Sequence, residues 1–335
     1  MIVLHAAGNE KIGIGHLKRC HTLAKWLKKF CSEEVCLLLE CEKSLADFFS
    51  SEDITIITAK NRNEAIKYRR ELFSNGGVLI TDLLGLDELD KVEAQNEGVR
   101  WVVHLNDNGI ESYKPDLIVD GDFDAAKKYS GKKLDVLAGP AYFIINDNIT
   151  QLRPKVVEGN GIRKVLVTFG GADPGNYTEF FADKLVGVTT KEFTFIMGPA
   201  FSTKRKEYLK SFMHNKHYIF IDSPSDMGRL LLEHDLIVSL GGITSYEAMC
   251  LGKLVATVEW QTMKKYVKIL QEAEVVFNLG DKCESISRLI KVMNTPLEEL
   301  RRISRNGWLS VDGAGAQRVA EYLVKLINSS GERQI

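Results

Sequence analysis

The chain has 335 residues, 44% of them hydrophobic and 27% charged, and a formal net charge of −1 at pH 7. That length suits two ordinary domains whose cores need no disulfides, and near-neutrality removes the electrostatic case for nucleic acid or an anionic membrane surface as partner. No apolar run is long enough to span a bilayer, the N-terminus enters a strand without a leader segment, and the six scattered cysteines form no CxxC pair, so a cytoplasmic protein with reduced thiols is expected and structural zinc is not.

In chain order, Ile2 to Leu4 reads as an apolar strand that runs into Lys11-Ile-Gly-Ile-Gly-His-Leu-Lys-Arg19. A helix is predicted from about His16 to Phe30, with Leu17, Cys20, Leu23, Ala24, Leu27 and Phe30 on its apolar face and His16, Lys18, Arg19 and Lys25 mainly elsewhere. The stretch is thus a glycine-rich turn between a strand and a helix, the place where α/β proteins put ligands. Gly13 and Gly15 let the backbone approach a ligand, and His16 is the one side chain of the turn able to move a proton near neutral pH.

Short β-rich runs then recur at Val35 to Leu39, Ile54 to Thr58, Val78 to Thr81, Trp101 to Leu105 and Leu117 to Val119, several of them separated by amphipathic or polar helical stretches. This alternation implies a largely parallel sheet covered by helices on both faces. Asp82, the run Asn106-Asp107-Asn108-Gly109, and Asp120-Gly-Asp-Phe-Asp124 follow three of these strands. Such residues favour turns, and carboxylates gathered at one sheet edge also orient a sugar or tune a base. Asp120, Asp122 and Asp124 invite a metal–diphosphate reading that no other metal signature supports.

Gly139-Pro-Ala-Tyr142 closes the first half, and a polar segment with Pro154 and Glu158-Gly-Asn-Gly161 reads as a linker. The second half restarts with Lys164-Val-Leu-Val-Thr-Phe-Gly-Gly-Ala-Asp173, again a strand entering a glycine turn, before a helix over about Asn176 to Val186. Gly170 and Gly171 would free backbone N–H groups for an anion. Strands follow at Phe193 to Met197, Tyr218 to Ile221 and Leu236 to Ser239. The last of these leads into Gly241-Gly-Ile-Thr-Ser-Tyr-Glu-Ala-Met-Cys-Leu-Gly252, where Thr244 and Ser245 are expected to cap a helix and Glu247 to sit in its first turn. Helix-terminal amides and hydroxyls suit a diphosphate, and a carboxylate one turn on suits the hydroxyls of a ribose. Ala314 to Asn328 reads as an amphipathic last helix with Val319, Leu323 and Leu326 on one side.

GGxTSxEAxxxG resembles the nucleotide-sugar motif of GT-B glycosyltransferases, including the lipid II-forming N-acetylglucosaminyltransferase of peptidoglycan synthesis. Ile12-Gly-Ile-Gly-His-Leu-Lys-Arg-Cys-His-Thr-Leu-Ala24 is similar to the IGxGHxxRxxxLA signature of one branch, which holds the UDP-sugar hydrolase of pseudaminic acid biosynthesis and related spore-coat polysaccharide proteins. Phe169-Gly-Gly-Ala-Asp-Pro174, Gly139-Pro-Ala-Tyr142 and Val311-Asp-Gly-Ala-Gly-Ala-Gln-Arg-Val319 agree in the same order. The resemblance implies an α/β GT-B architecture of two Rossmann-like domains with parallel sheets facing an interdomain cleft. Residues 1–150 would carry the sugar or acceptor side and the catalytic histidine, residues 151–313 the nucleotide, and residues 314–335 a helix crossing back to the first domain.

The activity implied is metal-independent and cofactor-free hydrolysis of a UDP-sugar, with inverting attack of water at the anomeric carbon of an amino or deoxy sugar. His16 matches the catalytic histidine. Substrate contacts are implied for Gly13, Gly15, Arg19, Asp82, Asn106, Asp107, Tyr142 and Gln261, and nucleotide contacts for Gly170, Gly171, Gly242, Thr244, Ser245 and Glu247. The chain departs from the branch on the sugar side. His5-Ala-Ala-Gly-Asn9 replaces an Arg-x-Asp element, Leu83 and Leu84 follow Asp82 where His-Tyr is usual, Asn106-Asp107 replaces a paired Asp-Asp, Phe143-Ile-Ile-Asn146 lacks an Arg, and Trp260-Gln261 replaces Asn-Gln. A site that loses such hydrogen-bonding partners rejects the original substrate, so a different sugar or acceptor is expected. A glycosyltransferase using the same histidine on an acceptor hydroxyl, and a non-catalytic nucleotide-sugar binder, remain as alternatives.

Overall fold

Runs rich in Val, Leu and Ile form strands that pair into two separate sheets, every pairing parallel. The computed structural model describes residues 1–9, 13–49, 53–86, 88–105, 114–157, 159, 161–261 and 263–329. Two units are distinguished by their internal contacts, one made of Met1–Asn146 together with the segment from Gly313 onward, the other of Asp147–Asp312.

The first unit holds β1 (Ile2–Ala7), β2 (Val35–Glu40), β3 (Thr55–Ala59), β4 (Gly77–Asp82), β5 (Val99–Leu105), β6 (Leu117–Asp120) and β7 (Val136–Ala138), in the order β3-β2-β1-β4-β5-β6-β7. A parallel sheet must be covered on both faces, and alternate side chains of each strand serve the two. Leu4, Leu37, Ile80 and Val103 meet the Gly15–Phe30 helix, whose Leu17, Leu23 and Leu27 are fully buried. Val3, Cys36, Leu79 and Val102 form the opposite core.

The last helix, Gly315–Ser329, packs on the Gly15–Phe30 helix and puts Val319, Ala320 and Leu323 into the same core. Its start lies so close to the backbone that a Cβ on Gly315 would stand 2.2 Å from the Phe143 carbonyl oxygen, so only glycine fits there.

The second unit holds β8 (Lys164–Val167), β9 (Glu192–Met197), β10 (Tyr218–Asp222), β11 (Leu236–Ser239), β12 (Leu254–Thr257) and β13 (Phe277–Asn278), ordered β10-β9-β8-β11-β12-β13. One core packs Val165, Val167, Phe193, Phe195, Leu236 and Val238 against Phe181 and Leu289. The segment that opens this unit is folded onto it by Arg153. That guanidinium donates to the carbonyls of Cys250 (2.6 Å), Trp308 (2.7 Å) and Val311 (2.9 Å) and stacks over the Trp308 ring. It thereby satisfies terminal carbonyls of two helices, Ile243–Cys250 and Leu297–Ser310, with the cation their C-termini favour.

Three strands, β7, β12 and β13, are not foreseen by the sequence reading. They have two to four residues each. Among the described residues no helix is long and apolar enough to cross a membrane.

Leu323→Ala is expected to cost about 2–5 kcal/mol of stability through the cavity it leaves beneath the last helix. Urea denaturation monitored by circular dichroism checks this.

Candidate functional site

In an open parallel sheet the chain reverses direction across the sheet at one point, and the loops leaving the two strands there diverge to opposite faces and leave a crevice. In the first unit this point lies between β1 and β4, because β2 and β3 extend the sheet one way and β5 to β7 the other. The loop after β1 enters the Gly15–Phe30 helix, and β4 ends on Asp82.

The two sides meet through side chains. His16 and Arg19 lie three residues apart, one turn of the same helix face. His16 Nδ1 stands 2.7 Å from Asp82 Oδ1, while Arg19 donates through Nε to Asp82 Oδ2 at 2.7 Å and through Nη2 to Oδ1 at 2.5 Å. Asp82 is 1% exposed, Arg19 8% and His16 14%.

Burial alone would raise the Asp82 carboxyl, but the Arg19 charge and the hydrogen bonds from His16 and Arg19 bring it down to about 2. An ionised carboxylate only accepts, so His16 donates to it from Nδ1, and in a neutral ring of that tautomer Nε2 is the basic nitrogen. This is how an aspartate fixes the tautomer of a general base. The helix reaches this position because Gly8 gives room to Leu17, since a Cβ there would lie 2.6 Å from the Leu17 side chain. Paired hydrogen bonds between the backbones of Asn9 and Gly13 close the turn.

Arg19, off the apolar stripe of the helix by its spacing, is buried all the same, on Asp82. Arg19 and Asp82, both expected to touch substrate, are bonded to each other, and Asp82 also to His16. Tyr142 sits half-buried in the short turn Pro140–Tyr142 that follows β7, against the core of the first unit. Asn106 and Asp107 lie outside the described residues. His5, at the position of the expected Arg-x-Asp element, is fully buried in β1 with Nε2 2.8 Å from Glu40 Oε1, and burial drives its pKa down to about 4. Asp120 is also buried and accepts from Lys128 Nζ (2.7 Å) and the Tyr129 hydroxyl (3.0 Å). Among the described residues no group of three or more His, Cys, Asp or Glu side chains is placed to hold a metal ion.

The second unit has its reversal between β8 and β11, and the two Gly-Gly turns follow those two strands. Gly170 and Gly241 adopt φ of +85° and +82°, which glycine tolerates without strain. Among the described residues the amides of Gly170, Gly171, Ala172 and Asp173, and of Gly241, Gly242, Ile243 and Thr244, donate no hydrogen bond. Unpartnered amides beside a reversal point are the kind of donors that take an anion.

The expected capping of the Ile243–Cys250 helix is corrected. Gly242 is its N-cap, without a side-chain cap bond, and Thr244 and Ser245 lie inside the first turn. Ser245 is buried, its hydroxyl 2.7 Å from that of Ser239 and its amide bonded to Gly242 O. Glu247 is the fifth helical residue and not in the first turn. It stands three residues after Thr244, and both side chains are half-buried on neighbouring positions of one face. Gln261 is exposed in the loop after β12 with φ +44°, beside Trp260, which packs on the core of this unit.

The first amides of the Tyr177–Lys184 helix are already taken, because the Asp173 carboxylate accepts from the Tyr177 and Thr178 amides at 3.0 and 2.8 Å. Arg205 braces that carboxylate, and no signal in the sequence singles it out from the basic run Lys204-Arg205-Lys206.

No family model matches the chain. It is 25% identical over 338 residues to the spore coat polysaccharide biosynthesis protein SpsG of Bacillus subtilis, covering 96% of this chain and 97% of that one. The fold is similar to that of Acinetobacter baumannii MurG, with a TM-score of 0.66, 11% identity and coverage of 97% and 99%. It is similar also to the UDP-GlcNAc 2-epimerase of Neisseria meningitidis bound to UDP-GlcNAc, with a TM-score of 0.63, 13% identity and coverage of 97% and 100%. The architecture is thus GT-B, with two Rossmann-like units.

The Asp82 carboxyl, lowered from 3.8 to about 2, favours the fold above the upper value, and this contribution drains away as the pH falls through that interval. It amounts to about 2 kcal/mol. Asp82→Asn is expected to remove this part of the acid limb and, by stranding Arg19, to cost about 3–5 kcal/mol at pH 7. Urea titrations between pH 2 and 7 read both effects.

Proposed function

We propose that the protein hydrolyses a nucleotide sugar, a UDP-sugar in the first instance, without a metal ion, as a step in building a surface polysaccharide or a nonulosonic-acid-type sugar. The observation that carries this reading is the Asp82–His16 pair at the reversal point of the first unit, which leaves His16 Nε2 as the basic atom. The two Gly-Gly turns of the second unit supply amides for the diphosphate, Thr244 adds a hydroxyl, and Glu247 is assigned to the ribose hydroxyls. The relationship to a spore coat polysaccharide protein and the fold shared with a UDP-GlcNAc-bound epimerase support the substrate class.

In the proposed reaction a water oxygen attacks the anomeric carbon from the face opposite the diphosphate. Its proton passes to His16 Nε2 as the new C–O bond forms. The bond between the anomeric carbon and the diphosphate oxygen breaks with its electron pair going to the nucleoside diphosphate, so the configuration inverts. Donors aimed at that departing charge supply most of the acceleration in such a site. The base adds about 10²–10⁴-fold.

A transferase reading is favoured by one feature. Leu84, two residues beyond Asp82, is 44% exposed, so an apolar side chain stands at the end of β4 where the branch signature carries a polar one. An acceptor hydroxyl would then take the place of water at His16.

Incubation with UDP-, CDP-, GDP- and dTDP-sugars, without acceptor or metal, is expected to release nucleoside diphosphate and free sugar in equal amounts from one nucleotide class. His16→Ala is expected to lower turnover by about 10²–10⁴-fold while nucleoside diphosphate binding persists. Release only on addition of an acceptor assigns a transferase, and an epimerised sugar with the nucleotide still attached assigns an epimerase. Full activity in His16→Ala overturns the mechanism.

A further inference from the structure

The turn from Gly170 to Asn176 is tied down from behind at several points, and each tie is made to a carbonyl or to a carboxylate. The Ala200 amide donates to Gly171 O at 3.0 Å. Arg205 donates through Nη1 to Ala172 O at 2.8 Å and through Nη2 to Asp173 Oδ2 at 3.3 Å. Lys282 Nζ donates to Gly175 O at 2.7 Å.

A trans peptide points its C=O and the N–H of the next residue in opposite directions. Pulling Gly171 O and Ala172 O backwards therefore turns the Ala172 and Asp173 amides the other way. These are among the amides that have no partner within the described residues.

The geometry that results is one the chain would not adopt by itself. Asp173 has φ +40°, a left-handed conformation that costs a non-glycine residue energy unless its surroundings enforce it. Its carboxylate is occupied by the Tyr177 amide and by the Thr178 amide and hydroxyl, so it cannot swing out to repel an anion at the turn. Arg205 is itself held, by the two carboxylate oxygens of Glu179 on its Nε–Nη2 edge and by the Phe201 ring 3.9 Å beneath it. Gly198 completes the support. A Cβ there would lie 2.1 Å from Gly171 O and would push the turn out of place.

We infer that Arg205 is a positioning residue of the nucleotide site, holding the Gly170–Asp173 turn so that the Ala172 and Asp173 amides face the diphosphate of a nucleoside diphosphate. This rests on the nucleotide-sugar reading above. Arg205 touches no ligand. It acts by fixing the backbone that does, so its loss weakens the diphosphate contact and leaves the nucleoside contact alone.

Isothermal titration with UDP and with uridine, on the wild type, Arg205→Ala and Gly198→Ala, separates the cases. Both variants are expected to bind UDP about 10- to 100-fold more weakly, as the loss of hydrogen bonds to a charged group does, with uridine affinity unchanged. In turnover the same loss is expected in kcat as well as in KM, because these amides face the charge that grows on the departing diphosphate. Arg205→Lys, which keeps a cation near Ala172 O and lacks the fork, is expected to recover part of the UDP affinity.

Equal weakening of UDP and uridine, or no change in UDP affinity in either variant, overturns the inference while leaving the nucleotide reading intact. A wild type that binds no nucleoside diphosphate overturns both. Gly198→Ala keeps the test open where Arg205→Ala fails to fold, which its thermal melt reports.

Discussion

The strand order reverses once in each sheet, and nearly everything at the two candidate sites follows from that constraint. Parallel strands end on one edge, and at the reversal the loops on either side part company. In the first unit the gap is bridged by side chains, with Asp82 from β4 gripping Arg19 and His16 from the helix after β1. In the second unit it is lined by backbone, with two Gly-Gly turns that expose amides. One topology thus brings a histidine and an aspartate together in the first unit and two glycine turns together in the second.

Two buried aspartates show how differently the fold treats the same side chain. Asp82 meets a guanidinium fork and an imidazole, and stays ionised well below the usual carboxylate range. Asp173 accepts from two amides and a hydroxyl with Arg205 at 3.3 Å, and burial still pushes its carboxyl up. The first sets the proton inventory of a neighbouring base. The second closes a helix N-terminus, which keeps that helix from competing for an anion and leaves the amides of the Ile243–Cys250 helix as the helical donors at the reversal point.

Most of the architecture was legible in the sequence because it rests on local signals. Apolar runs marked ten of the strands, helical spacing marked the Gly15–Phe30 and Gly315–Ser329 helices, and the glycine turns marked both reversal points. What the sequence hid were partnerships between residues far apart along the chain. Arg19 and Asp82 both stand out in the sequence, but nothing there pairs them across 63 positions. Arg205 is invisible within its lysine-rich run for the same reason. Ser245 and Thr244 are adjacent hydroxyls in one motif, and only the position of Ser239 decides that Ser245 turns inward. The short strands β12 and β13 exist because their neighbours hold them, not through any pattern of their own.

The last helix completes the unit that the first residues begin. During synthesis the chain emerges N-terminus first, and domains generally fold as units in that direction. Here the sheet of the first unit is made early, yet the groove left for Val319, Ala320 and Leu323 stays uncovered until some three hundred residues have been added. The second unit is continuous in sequence and lacks nothing once Asp312 has emerged. The continuous unit can therefore close before the one that flanks it does, and the apolar flank of the Gly15–Phe30 helix needs shielding, by collapse or by a chaperone, until the Gly315–Ser329 helix has emerged.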